Sequence, residues 1–150
     1  MVSFFPELFR SRIFVSTVVA FLAANTLKIF SNWYKCRKID VRVFFQNGGM
    51  PSSHTTTVTA LTTAIYLETG VTPLFIATLL FSLIIISDAM GFRRAAGKQA
   101  EIINQIIEDI QKSKPFQTKK LYELLGHTPL QVFAGMILGV CISKIIYLFL

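Results

Sequence analysis

Long apolar runs are the feature that most constrains the fold of this chain. Hydrophobic residues make up 53% of the 150 residues and charged residues only 15%, whereas charged residues are about 25% of a soluble domain. The apolar residues are gathered at 13–31, 52–68, 73–88 and 129–150, runs close to the length that crosses a bilayer as a helix. We therefore expect a single all-α domain over residues 1–150, an integral membrane helical bundle of about four spans.

The net charge of +7 invites comparison with nucleic-acid-binding proteins, but the basic residues cluster in the loops between the apolar runs. Eleven of the fifteen Lys and Arg residues lie in loops 32–50 and 90–128. Positive loops of this kind face the cytoplasm, so we expect an outside N-terminus and a plasma or inner membrane location. Membrane lipids, and no nucleic acid, are the expected partners.

The first apolar run predicts a retained span. It exceeds the ~7–15 residues of a signal-peptide core, and no clean cleavage site follows it. Cys36 lies in a basic loop and Cys141 within the last run, so the sequence predicts no disulfide between them.

The loop before the last span contains an amphipathic pattern. Residues 98–112 place five isoleucines at helical spacing, with acidic residues on the rest of the helix: Ile102, Ile103, Ile106, Ile107 and Ile110. We expect this helix to pack on the bundle or on a partner subunit of a possible homo-oligomer. A membrane-surface location is less favoured, because the polar face carries several acids.

Two further spans carry packing signals. The second span is rich in threonine, which places it inside the bundle with its hydroxyls hydrogen-bonded. In the last span Gly135 and Gly139 are four residues apart, a spacing that permits close helix packing. Lys144 is expected to snorkel or to face the bundle.

The only two histidines lie in similar settings. Each lies in a segment that begins with glycine, 48–54 (GGMPSSH) and 126–129 (GHTP), where a loop leads into an apolar helix. Ser52 and Thr128 are natural N-caps, and free N–H groups at a helix N-terminus suit an anion such as phosphate.

Topology brings these segments together. In a four-span bundle the starts of the second and fourth spans and the end of the third share one membrane face. Residues 52–54, 88–99 and 127–128 can then converge, with three helix N-termini, near Ser52, Gly97 and Thr128, directed at one pocket.

This set of residues has the groups that phosphate transfer needs. Arg93, Arg94 and Lys98 can clamp a phosphate, while one histidine attacks phosphorus and the other protonates the leaving alcohol. No cofactor or metal is required. A metal site made of the two histidines and Asp88 is the less favoured interpretation.

Three segments together resemble the divergent branch of the type-2 phosphatidic acid phosphatase superfamily, also described as acid phosphatase/vanadium-dependent haloperoxidase-related. They are GGMPSSH, DAMGFRRAAGKQ from Asp88 and GHTPLQV from Gly126. The parent superfamily has motifs Lys-x6-Arg-Pro, Pro-Ser-Gly-His and Ser-Arg-x5-His-x3-Asp. The resemblance implies that His54 is the general acid, that Ser52 and the Ser53 backbone hold phosphate, and that His127 is the nucleophile.

The sequence departs from the parent motifs. Gln131 stands where the third motif has aspartate, and Leu121 where it has arginine. Glutamine can orient an imidazole but cannot stabilise an imidazolium by charge. Gln99 is a second candidate for orienting a site group. Lys35-x6-Arg42 imitates the first motif but lies too close to Pro51, so we interpret it as a coincidence.

Two substitutes for the missing groups remain open. Arg93, Arg94 or Lys98 could replace the parent arginine. Asp88 could supply the missing carboxylate, or it could pair with Arg93 or Arg94 and fix the loop.

The leading hypothesis is a membrane-embedded phosphatase that acts on a lipid phosphate or diphosphate, phosphatidate-like or isoprenyl. The alternative is a non-catalytic membrane protein that retains a headgroup-binding pocket, which the changes at Gln131 and Leu121 favour. Vanadate-dependent halide oxidation and a small transporter are weaker interpretations, and no inverted repeat supports the latter.

Overall fold

A computed structural model of the chain describes residues 4–37, 41–45, 49–113 and 126–150. Every regular element in these ranges is helical, which confirms the predicted all-α membrane bundle. The helices are α1 (Phe4–Arg10), α2 (Arg12–Cys36), a short 3-10 helix (Val41–Phe45), α3 (Ser53–Thr69), α4 (Pro73–Met90), α5 (Phe92–Ser113) and α6 (Pro129–Phe149).

Three stretches are long and apolar enough to cross a membrane, namely Arg12–Tyr34, Pro73–Glu108 and Pro129–Phe149. The 17-residue α3, which the sequence predicted as a fourth span, is not among them. It packs against α2, α4 and α6, and much of it is buried. The bundle therefore consists of apolar helices that contact one polar helix in its interior.

The contacts between helices fix their directions. Ser52 lies beside Gly135, Thr56 beside Gly139 and Ala60 beside Ser143, so α3 and α6 run parallel and begin at the same end of the bundle. On α4, Ser82 contacts Val58 and Ala89 contacts His127, so α4 runs the opposite way. Helix α2 also runs opposite to α6, because Arg12 at its start contacts Leu150.

Small residues let α3 and α6 approach each other closely. A Cβ atom on Gly135 would lie 2.9 Å from the carbonyl oxygen of Ser52, and one on Gly139 would lie 2.5 Å from that of Thr56. Real side chains cannot occupy such positions, so both glycines are required by the contact. The packing role predicted from their spacing is confirmed.

Several hydroxyl groups inside the bundle have hydrogen-bond partners, although the buried Thr59 hydroxyl has none among the described residues. Thr56 and Thr57 donate to carbonyl oxygens one turn earlier in α3. Between helices, Thr62 and Ser82 share a hydrogen bond of 2.8 Å, and Ser143 donates to the Ala60 carbonyl at 2.8 Å. These bonds satisfy groups that would otherwise be costly to bury, as expected for a threonine-rich helix in the interior.

Helix α5 differs from the sequence-based expectation. It begins at Phe92, so Gly97 lies inside the helix and not at its N-terminus. Among the described helices α5 contacts only α4. Gly97, Ala100 and Asn104 are buried, whereas four isoleucines of the stripe are exposed; the packing of this helix on the bundle or on a partner subunit stays a prediction.

The close contact at Gly139 can be tested by substitution. In Gly139→Ala the new Cβ would meet the Thr56 carbonyl and the Ala60 nitrogen, and overpacking of this kind costs about 1–3 kcal/mol. We expect a loss of that size in the free energy of unfolding, measured in detergent. The control Ala77→Ser adds one atom at an exposed position of α4; equal stability of the two variants would contradict the packing.

Candidate functional site

The capped N-terminus of α3 is part of the site. Ser52 is fully buried, and its hydroxyl caps the helix by accepting hydrogen bonds from the N–H and the hydroxyl of Thr55 at 3.4 and 3.0 Å. The Ser52 N–H donates to the Gln131 carbonyl at 3.1 Å. The start of α3 is thereby joined to the first turn of α6, as the topology predicted.

Gly49 precedes this cap with a φ of +89°, a conformation that L side chains rarely adopt. The loop can therefore turn sharply before Pro51 and deliver Ser52 to the cap position. The sequence indicated this role, because paired glycines break regular structure just before the motif.

The two histidines face each other across the site. Their ring centroids are 6.4 Å apart, with an interplanar angle of 73°. His127 is only 2% exposed, and its backbone N–H donates to the Ala89 carbonyl at 3.0 Å. His54 lies in the first turn of α3 and is partly exposed. The site thus has one buried and one accessible imidazole. Helices α3 and α6 and the Ala89 carbonyl of α4 fix their positions.

The start of α6 is held by a capping box. The Gln131 N–H donates to the Thr128 hydroxyl at 3.4 Å, and the Gln131 carboxamide oxygen accepts from the Thr128 N–H at 2.9 Å. This reciprocal arrangement fixes the residue that follows His127. A direct role of Gln131 in orienting the His127 ring stays a prediction.

The sequence-based candidates did not include Lys28. This residue of α2 is only 2% exposed, and its Nζ donates a hydrogen bond of 2.8 Å to the Ser53 hydroxyl. Its aliphatic stem lies near Gly49, where an added Cβ would be 3.7 Å from the lysine Cγ. An amino group is thereby placed at the Pro-Ser-Ser-His segment. The signal was present, since an ionisable residue in an apolar span marks a functional site by default.

Asp88 lies near the site but its side chain lines a different surface. It precedes Ala89, whose carbonyl accepts from His127, and it lines a groove between α4 and α5 together with Ser87 and Gly91. The backbone of α4 is therefore part of the site.

The basic candidates of α5 are not brought to the histidines by any described contact. Lys98 and Gln99 are exposed on a helix that, in the described ranges, contacts only α4. Arg93 and Arg94 lie in the first turn of α5, and their side chains fall outside the described part of the structure, as does Leu121. Whether Asp88 pairs with either arginine stays open.

No group of three or more His, Cys, Asp or Glu side chains that could hold a metal ion occurs among the described residues. The groups that the structure does gather, two imidazoles, an amino group, hydroxyls and a helix N-terminus, suit an anion with several oxygens.

Comparison with known proteins agrees with this architecture. The sequence model of the Divergent PAP2 family matches residues 9–142. The chain belongs to this family. It is 36% identical over 155 residues to the uncharacterized membrane protein YuiD of Bacillus subtilis (strain 168), covering 95% of this chain and 98% of that protein. No solved structure matches the chain. This member of the divergent PAP2 family is therefore a membrane protein.

Lys28 can be tested as an anion-binding group. In Lys28→Met the stem length is kept and the donor is lost. A hydrogen bond from a charged group contributes ~1.5–3 kcal/mol, so we expect binding of orthovanadate or inorganic phosphate to weaken about ten- to a hundredfold, measured by calorimetry in detergent. The control Lys144→Met removes an exposed lysine of α6. Unchanged affinity in a folded Lys28→Met protein would rule out the role.

Proposed function

We propose that this membrane protein is a metal-independent phosphatase that acts on a lipid phosphate or diphosphate. The observation that carries the proposal is the pairing of His54 and His127 at 6.4 Å, above the capped N-terminus of α3 and beside the Lys28 amino group. Membership of the divergent PAP2 family supports it, because the parent superfamily includes lipid phosphatases.

Both imidazoles lie close enough to the start of α3 to contact a phosphate ester bound there. An attacking atom lies ~3–3.5 Å from its target in a productive complex, and a general acid ~2.6–3.2 Å from the oxygen that it protonates. Because the P–O bond lies between these two distances, the reacting nitrogens must be more than about 6 Å apart, so rings with centroids at 6.4 Å have to separate when the substrate binds. In that arrangement one imidazole attacks phosphorus while the other reaches the leaving oxygen.

We assign the roles of the two rings as the resemblance to the parent motifs implies them. A nitrogen of buried His127 forms a bond to phosphorus as the bond from phosphorus to the lipid oxygen breaks. His54, which is partly exposed, gives its proton to that oxygen and releases the lipid alcohol. His54 then accepts a proton from water, whose oxygen attacks the phosphohistidine and frees inorganic phosphate and His127.

The remaining groups hold the phosphate oxygens. The hydroxyl of Ser53 can donate to a phosphate oxygen, the α3 N-terminus contributes its dipole, and Lys28 supplies a cation. In the structure Lys28 donates to the Ser53 hydroxyl. The parent motif has glycine at position 53, so this hydroxyl is an addition of the present chain.

Lys28 is better placed than Lys35 for the role of the lysine in the first parent motif. Lys28 and Lys35 are separated by six residues, the spacing of Lys-x6-Arg-Pro, with lysine in place of arginine and Cys36 in place of proline. Because Lys28 contacts Ser53 directly, we assign the first-motif role to it. Lys35-x6-Arg42 keeps its interpretation as a coincidence.

The histidine roles can be separated by trapping the intermediate. The detergent-purified protein, with chelator present, is given phosphatidate and farnesyl phosphate or diphosphate, and phosphate release is measured. We expect His127→Ala to have no turnover, because the nucleophile is lost. His54→Ala should be slower by about 10²–10⁴-fold, the usual contribution of a general acid.

Labelling that survives base, as phosphohistidine does, gives the control for these variants. With ³²P-labelled substrate trapped at high pH, the wild type and His54→Ala should carry phosphohistidine, and His127→Ala should carry none. Labelled His127→Ala, or turnover by it, would eliminate the nucleophile assignment.

One observation favours the alternative of a non-catalytic headgroup-binding protein. The Gln131 carboxamide oxygen is engaged by the Thr128 N–H, so the residue at the position of the parent aspartate serves the cap. Phosphate or vanadate binding to the folded wild type, with no turnover of any lipid phosphate, would establish this alternative.

A further inference from the structure

An apolar groove begins beside the Pro-Ser-Ser-His segment and runs along the bundle between α2 and α6. Its volume is about 590 Å³, within the range of ligand pockets (~300–1,000 Å³). Its walls include Leu27, Phe30, Met50, Pro51, Ala134 and Leu138. The groove extends along α6 from Ala134 to Cys141, a rise of ~10 Å.

The groove adjoins the segments that carry the phosphate-binding candidates. Pro51 immediately precedes the Ser52 cap, and Leu27 precedes Lys28 in α2. Neighbouring residues of a helix point ~100° apart, so Lys28 reaches Ser53 while Leu27 lines the groove. A molecule whose phosphate contacts Lys28 and Ser53 would meet the groove directly.

The groove is also open to the membrane. Leu27 is 43% exposed and Phe30 is 60% exposed, and both lie in the apolar stretch Arg12–Tyr34. A hydrocarbon chain could therefore enter sideways from the bilayer without crossing polar surface.

A second, larger groove competes for the same role. It lies between α4 and α5, has a volume of about 1050 Å³, and is lined by Leu80, Leu83, Ile84 and Asp88. No basic residue is among the described residues that line this larger groove, whereas the α2–α6 groove is lined by Leu27 and Pro51, the chain neighbours of Lys28 and Ser52. Its position beside a basic group therefore selects the smaller groove.

We infer that the groove between α2 and α6 holds the hydrocarbon chain of the lipid phosphate. The inference rests on the proposed function for the identity of the headgroup site. It adds that specificity for a lipid over a water-soluble phosphate ester comes from this surface, and that the α4–α5 groove makes no contribution to it.

Matched substitutions in the two grooves test the inference. Ala134→Phe fills the α2–α6 groove and Ala95→Phe fills the α4–α5 groove. Each variant is assayed for kcat/KM on farnesyl phosphate, on phosphatidate and on the water-soluble p-nitrophenyl phosphate. Activity on the soluble ester reports whether the variant is folded and its site intact.

We expect Ala134→Phe to lose about tenfold or more on the lipid substrates, the effect of excluding two or more methylenes from the groove, and to keep the wild-type rate on p-nitrophenyl phosphate. Ala95→Phe should have the wild-type kcat/KM on all three substrates. A selective loss in Ala95→Phe, or equal rates in Ala134→Phe and the wild type, would overturn the inference. Absence of wild-type turnover on every substrate would instead count against the proposed function.

Photolabelling identifies the groove that holds the hydrocarbon chain and does not require turnover. A farnesyl phosphate analogue with a diazirine at the far end of its chain is irradiated with the wild-type protein, with and without excess vanadate. Vanadate-sensitive label in peptides that contain Leu27–Phe30 or Ala134–Leu138 supports the inference. Label confined to the peptide that contains Leu80–Asp88, or no vanadate-sensitive label, refutes it.

Discussion

The close backbone contact between α3 and α6 is the constraint on which the site depends. Because Gly135 and Gly139 carry no side chains, α6 can lie against the carbonyl groups of Ser52 and Thr56. The two helices start side by side, which allows the Ser52 N–H to bond the Gln131 carbonyl. Since each histidine lies within two residues of one of these helix starts, a shift of α6 away from α3 would separate the rings. Packing and chemistry are therefore coupled through two glycines.

Lys28 gives the site a full positive charge, which its helix N-termini alone do not supply. A helix N-terminus offers a fractional positive charge of about half a unit, whereas an ammonium brings a full charge into a region of low dielectric. Burial of that group is costly unless it is paired, and in this structure Ser53 accepts its hydrogen bond. An arriving phosphate would offer a better partner, so the lysine favours anion binding over an empty site.

Much of this arrangement followed from the sequence. The apolar runs predicted the helices, and the alternation of direction along a bundle placed Ser52, Ala89 and His127 at one end. Lys28 was missed as a site residue because hydropathy alone treats it as an interruption of a span. The start of α5 was misplaced because Gly97 was interpreted as a break, whereas it lies inside the helix and is buried. The contact of Lys28 with Ser53 joins two different helices, and such contacts leave no local pattern in the sequence.

The polar helix α3 explains how a small bundle can support such a site. Thr56 and Thr57 donate to carbonyl groups one turn earlier, and Thr62 shares a hydrogen bond with the Ser82 hydroxyl, so these threonines can be buried at little cost. They also keep side chains short, which brings α2, α4 and α6 close to the α3 axis. The three apolar helices then supply the membrane contact, and α3 is free to present its N-terminus to an anion. The residues that would bind the headgroup and those that would meet the lipid chain therefore lie on different faces of the same four helices.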